Sequence, residues 1–142
     1  MPNSTLSLPW LEPGEPFPAA ESAWNSASEA PGLLAAGGDL KVATLERAYG
    51  KGIFPWFSDG QPILWWSPDP RMVLQTAHFR LHRSLRQALI RFSNNARCEI
   101  RFDSAFPQVI QACANTPRRG QLGTWILPEM VQAYTDLHRA GN

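Results

Sequence analysis

The amino-acid sequence predicts an α+β protein in two parts. Residues 1–69 read as a small, largely irregular domain with one short helix, and residues 70–142 as the opening of a second, helix-rich domain. Three observations lead there. Pro2, Pro9, Pro13, Pro16, Pro18 and Pro31 crowd the first 31 residues, too many for a helix or the interior of a sheet. Residues 50–71, GKGIFPWFSDGQPILWWSPDPR, hold three of the six tryptophans, two phenylalanines and four prolines. Beyond residue 80, apolar residues recur three times at helical spacing.

The Pro-rich leader carries Trp10, Leu11, Phe17 and Trp24 between its breaks, which suits a strap packed on a body better than a free tail. PGLLAAGGDL (31–40) reads as a Gly-rich turn before a helix, with Asp39 near the helix N-terminus where negative charge is favoured. Val42, Leu45 and Tyr49 form the stripe of that helix, and Gly50 and Gly52 stop it. Met72-Val73-Leu74 reads as a short buried strand. In LHRSLRQALIRF (81–92), Leu81, Leu85, Ala88, Leu89 and Phe92 share one side, with Arg80, Arg83, Arg86 and Arg91 opposite. Cys98, Ile100 and Phe102 alternate with charged residues, the pattern of a half-buried strand. Asp103 or Ser104 then caps a helix with Phe106, Val109, Ile110 and Cys113 on one face. TPRRGQLGTW (116–125) is a basic loop. Pro128 opens a last helix with Val131, Tyr134 and Leu137 aligned, ended by Gly141. Three amphipathic helices and two short strands make a poor closed core, so the pattern expects a domain cut short at Asn142.

The net charge of +1 hides an asymmetry. Residues 1–40 contain five acids and no Lys or Arg, so residues 41–142 carry +6. That is compatible with an anionic partner without demanding one. Cys98 and Cys113 stand in no metal-ligand spacing, so no metal site is expected and both read as buried free thiols in a reducing compartment. The N-terminus has no basic, apolar signal-peptide pattern, and no run approaches the ~18 apolar residues of a membrane helix, so a cytoplasmic protein is expected. No nucleophile elbow, GxGxxG or P-loop occurs, and His78, His82 and His138 read as surface or packing residues.

The rings allow two readings. Trp65 and Trp66 are adjacent, so in extended chain they face opposite ways, one to a core and one to a surface. Trp56 sits on a Pro- and Gly-flanked loop, and Trp125 ends the basic loop. Each is either core or a platform on which a nucleic-acid base stacks. The arginine face of residues 81–92 is likewise either solvated or a phosphate contact.

In order along the chain, PGLLAAGGDL, KGIFPWFSDGQPILWWSPDPRMVL, HRSLRQ, FDSAFPQVIQACA, GTWI and AYTDLHRAG resemble the bacterial leucyl/phenylalanyl-tRNA–protein transferase family. The resemblance implies transfer of Leu or Phe, and less efficiently Met, from aminoacyl-tRNA to acceptor proteins with N-terminal Arg or Lys, marking them for degradation by the N-end rule. It implies a GNAT-like acyltransferase domain beginning at about residue 70. Trp56 and Trp125 match the pair that sandwiches the terminal adenine of the tRNA. Arg83 and Arg91 match a basic cluster that holds its acceptor stem, and Arg86, Arg118 and Arg119 are expected to join them on phosphates. Gln87 and Ile90 depart from the basic residues of a compared member. No metal or organic cofactor is expected, because the aminoacyl ester is already activated. The family continues for roughly ninety residues more, through the amino-acid pocket and the peptide-bond-forming site, so no catalytic residue is expected in this chain. The alternative is a non-catalytic RNA-binding module with an aromatic stacking site.

Overall fold

The computed structural model describes residues 7–117 and 124–141. Its elements are mixed α and β: four short strands in one sheet and four α-helices among the described residues. The described residues up to Pro70 and from Phe106 onward form one compact unit, and Arg71–Ala105 form a second.

The sheet of the first unit is built from β1 (Trp10–Leu11), β2 (Leu33–Gly37), β3 (Phe54–Pro55) and β4 (Leu64–Trp66), in the order β1-β2-β4-β3. β1 runs parallel to β2, with Trp10 opposite Ala36, and the other two pairings are antiparallel, with Ala35 opposite Trp65 and Pro55 opposite Trp65. The stretch expected as a Gly-rich turn is therefore mostly the central strand. All five residues of β2 are buried. A strand covered on both faces has no polar residue in alternation, so its sequence LLAAG carries no period-2 signal. The glycines serve close approach. Gly37 has φ +85°, and a Cβ there would lie 2.7 Å from the Leu11 carbonyl oxygen. Gly32, at φ +90°, would place a Cβ 2.8 Å from Pro68 Cα.

The leader is a strap, as its rings suggested. Leu11 and Phe17 are buried in the main core with Leu34, Ala35, Leu45, Ala48, Ile53 and Trp65. Trp24 closes the strap on the sheet: its N–H donates to Leu33 O and its carbonyl accepts from Gly32 N.

Helix α1 (Val42–Tyr49) starts where Asp39 Oδ1 accepts from the Lys41 N–H at 2.9 Å and the Thr44 hydroxyl at 2.7 Å. Partial burial opposes ionisation of Asp39, but those hydrogen bonds and the Lys41 charge outweigh it and hold its pKa below the usual value. Helices α3 (Phe106–Asn115) and α4 (Pro128–Arg139) complete the unit. Phe106 stacks on His138 at 4.5 Å, giving that histidine the packing role expected of it. Tyr49 of α1 and Tyr134 of α4 share a 2.6 Å hydroxyl–hydroxyl hydrogen bond.

The second unit contains α2 (Arg83–Ser93) and a single 3₁₀ turn at Thr76–His78. Neither expected strand forms. Met72, Val73 and Leu74 are exposed, Met72 by 99%, and residues 98–102 have no strand partner. The alternation is present in the sequence, but a strand needs a neighbouring ladder for its backbone N–H and C=O groups, and residues 71–105 hold none. Cys98 and Cys113, expected to be buried, are both free and half-buried.

Candidate nucleic-acid interface

Trp56 presents a half-exposed ring from a well-fixed backbone. It directly follows β3, and its N–H donates 2.9 Å to Leu64 O of β4. Its carbonyl accepts 2.6 Å from Trp66 Nε1. A tight turn follows, closed by Gln61 N to Ser58 O and by Ser58 N to Gln61 Oε1, with Gly60 at φ +78°. Pro55 before it and Phe57 after it are buried, yet Trp56 itself is 51% exposed. The chain thus pins the backbone on either side and leaves the indole in solvent.

The adjacent tryptophans divide as extended chain requires. Trp65 is fully buried, meets Phe17 edge-on at 4.7 Å and donates 2.9 Å from Nε1 to Gly37 O. Trp66 faces the other way, half-buried, its ring 5.8 Å from that of Trp56 and tilted by 50°.

Trp125 lies just before α4. It is half-buried and packs on a second cluster made of Phe57, Ile110, Ile126 and Met130. Thr124 Oγ1 accepts from Ile126 N at 3.1 Å and shapes the entry to the helix. Trp56 and Trp125 belong to one unit, and Phe57, which follows Trp56 in the chain, is a member of the cluster on which Trp125 packs. Behind the Trp125 segment, Gln111, Asn115, Thr124, Leu127 and Val131 line a hollow of about 340 Å³.

The arginines of α2 are in the other unit. Arg83, Arg86 and Arg91 are all exposed, and Leu81, Arg83 and Arg86 line a shallow hollow of about 330 Å³. Arg118 and Arg119 lie outside the described residues. Among the described residues no cluster of three or more His, Cys, Asp or Glu could hold a metal ion, and no helix is long and apolar enough to cross a membrane. Sequence reasoning left open whether Trp65 or Trp66 anchors the core, and so did not attach Trp66 to Trp56. The signal available was the strict face alternation of the WW pair, which the burial of Trp65 resolves.

Two family models match the chain. The leucyl/phenylalanyl-tRNA protein transferase N-terminal domain covers residues 38–69, and the leucyl/phenylalanyl-tRNA protein transferase model covers residues 73–142. The chain belongs to the leucyl/phenylalanyl-tRNA–protein transferase family. Among relatives bearing that name, the Polaromonas sp. (strain JS666) protein is 66% identical over 134 residues, which is 94% of this chain and 52% of the relative. The Albidiferax ferrireducens protein is 60% identical over 94% of this chain and 53% of its own length. The Burkholderia vietnamiensis protein is 56% identical over 95% and 53%. The chain spans about half the length of the curated relatives it matches.

Proposed function

We propose that this chain supplies the tRNA-holding half of an aminoacyltransferase. The enzyme moves Leu or Phe, and less efficiently Met, from aminoacyl-tRNA to acceptor proteins beginning with Arg or Lys, in the cytoplasm, as a step of N-end-rule degradation. The observation that carries the reading is the half-exposed Trp56 on a doubly hydrogen-bonded backbone, inside the family-matching segment, with Trp125 supported from the adjoining cluster.

In the reaction, the α-amine of the acceptor attacks the ester carbonyl. A C–N bond forms, the ester C–O bond to the terminal ribose breaks, and the amine proton leaves with the ribose oxygen or to solvent. Because the ester is activated already, no metal or organic cofactor is needed. Speed comes from holding the ester in place and supplying an unprotonated amine. Trp56 and Trp125 clamp the terminal adenine between their faces, each stack contributing ~1–3 kcal/mol. Arg83, Arg86 and Arg91, with Arg118 and Arg119, neutralise acceptor-stem phosphates, positioning the tRNA without reading its sequence. The resemblance puts the amino-acid pocket and the groups that act on the amine outside the matched residues, so no residue here is assigned a catalytic role. The family's domain division, 1–69 and a GNAT-like domain from residue 70, is part of the proposal. The junction between the two matched family models, 69 to 73, supports it.

The test measures transfer of labelled Phe from Phe-tRNA to an Arg-initiated acceptor protein, using this chain and the Polaromonas relative in parallel. The relative transfers Phe. This chain binds tRNA without transferring, and its log affinity falls with log salt at a slope of about −0.7 to −0.9 per neutralised phosphate. Transfer by this chain alone would overturn the division of labour. Failure of the relative to transfer would overturn the enzyme reading and leave an RNA-binding module, whereas salt-insensitive or absent tRNA binding by this chain would overturn the interface.

A further inference from the structure

We propose that Trp66 is a positioning residue of the nucleotide site, holding the ring of Trp56 ready for a base. The inference rests on the proposed stacking of adenine on Trp56 and adds to it a residue that the stacking pair does not include.

The two members of the WW pair have different surroundings. Trp65 is enclosed, with its N–H satisfied by Gly37 O, and serves the core. Trp66 is half-buried on the opposite face of β4, and its polar and aromatic contacts both go to Trp56. Its Nε1–H donates to the Trp56 carbonyl at 2.6 Å, and its ring lies 5.8 Å away at a tilt of 50°. The Trp56 N–H is engaged as well, on Leu64 O at 2.9 Å. β4 therefore takes both backbone polar groups of Trp56, which fixes its φ and ψ, while the Trp66 ring limits its side-chain rotation. What remains is an indole that is 51% exposed yet braced on one side.

An unbraced surface tryptophan would lose rotamer freedom each time a base stacked on it, and that loss would weaken binding. Bracing removes the loss in advance. The brace also has a chemical requirement. A phenylalanine at residue 66 keeps a ring against Trp56 but has no donor for the Trp56 carbonyl, which leaves the loop after Pro55 less firmly held. Tryptophan meets both needs.

The experiment compares this chain with its Trp66→Phe, Trp66→Ala and Trp56→Ala variants. It measures dissociation constants for deacylated tRNA and for the same tRNA lacking its 3′ adenosine, with thermal midpoints alongside. Trp66→Phe is expected to weaken binding of intact tRNA about 3- to 10-fold. Its thermal midpoint and salt slope should stay near the parent's, and binding of the shortened tRNA should not change. Trp66→Ala should show the same selectivity with a larger loss; if it fails to fold, Trp66→Phe decides. If Trp56→Ala leaves intact tRNA binding unchanged, the stacking reading falls and the positioning role falls with it. If Trp56→Ala weakens intact tRNA selectively while Trp66→Phe has no effect, only the positioning role falls. Equal weakening of both tRNAs by Trp66→Phe would reduce Trp66 to a structural residue and overturn the inference as well.

Discussion

The two compact units handle apolar surface in opposite ways. In the unit containing the sheet, Leu34, Leu45, Ile53, Trp65 and Met130 are almost wholly enclosed. In residues 71–105 no residue is buried, although Leu85, Leu89 and Phe92 of α2 line up on one face as neatly as any core helix. Amphipathic spacing therefore identifies a helix but says nothing about whether its apolar face is covered. Coverage depends on other elements, and the sheet unit has them: strap, sheet, α1 and α4 all converge on Trp65 and Leu45.

The sharpest way to break this contrast is at its most enclosed ring. Trp65→Ala is expected to cost ~3–5 kcal/mol, read from denaturant midpoints, because it opens a cavity under the strap. It also strips the Gly37 carbonyl of its indole partner. A cost near 1 kcal/mol would mean that the strap and sheet pack more loosely than the burial of Trp65 implies.

A smaller effect belongs to the Tyr49–Tyr134 hydroxyl pair. Tyr134→Phe is expected to lower stability by about 1 kcal/mol at neutral pH, the usual net value of one hydrogen bond. Burial foremost raises the pKa of both tyrosines. Their mutual hydrogen bond raises Tyr49 further and partly offsets the rise for Tyr134. A raised pKa means that the neutral hydroxyls are favoured in the fold. Their contribution is therefore complete below the ordinary tyrosine value of about 10 and is lost as pH climbs above it. Stability of the parent should fall more steeply above pH ~10 than that of Tyr134→Phe. Parallel curves would remove the pair from the energetics.

The smallest effect is expected in the open unit. Leu85→Ser should change stability by no more than about 0.5 kcal/mol, as for other exposed sites. It should also reduce self-association at high concentration, measured by light scattering, since an exposed apolar face favours association. A loss of 2 kcal/mol or more would show that the face of α2 is covered in solution and would erase the contrast.

These differences also explain what was legible in the sequence. Helices α2 and α4 were readable from periodicity alone, because the spacing of apolar residues survives whether or not a partner arrives. The strand β2 was not, since burial on both faces erases alternation and leaves only glycines, which suggest a turn. Residues 72–74 and 98–102 failed in the opposite sense: the pattern was there but no ladder met it. At the candidate site, the loop position of Trp56 could be read from Pro55, Gly52 and Gly60 around it, but not whether its ring was enclosed or open. The split between Trp65 and Trp66 followed from extended geometry, though not which of the two was enclosed. The hydrogen bond from Trp66 to the Trp56 carbonyl could not be read, because it depends on the antiparallel register of β3 and β4. Arg83, Arg86 and Arg91 illustrate the limit on charge, since a solvated face and a phosphate-binding face have the same sequence.

The tyrosine pair has a consequence for inheritance. Tyr49 falls inside the stretch matched by the family's N-terminal model and Tyr134 inside that matched by its other model, so the 2.6 Å bond ties together two segments that are distinct as family units. A recombinant gene joined near residue 70 would draw the two oxygens from different parents. It keeps the bond only where both parents encode tyrosine.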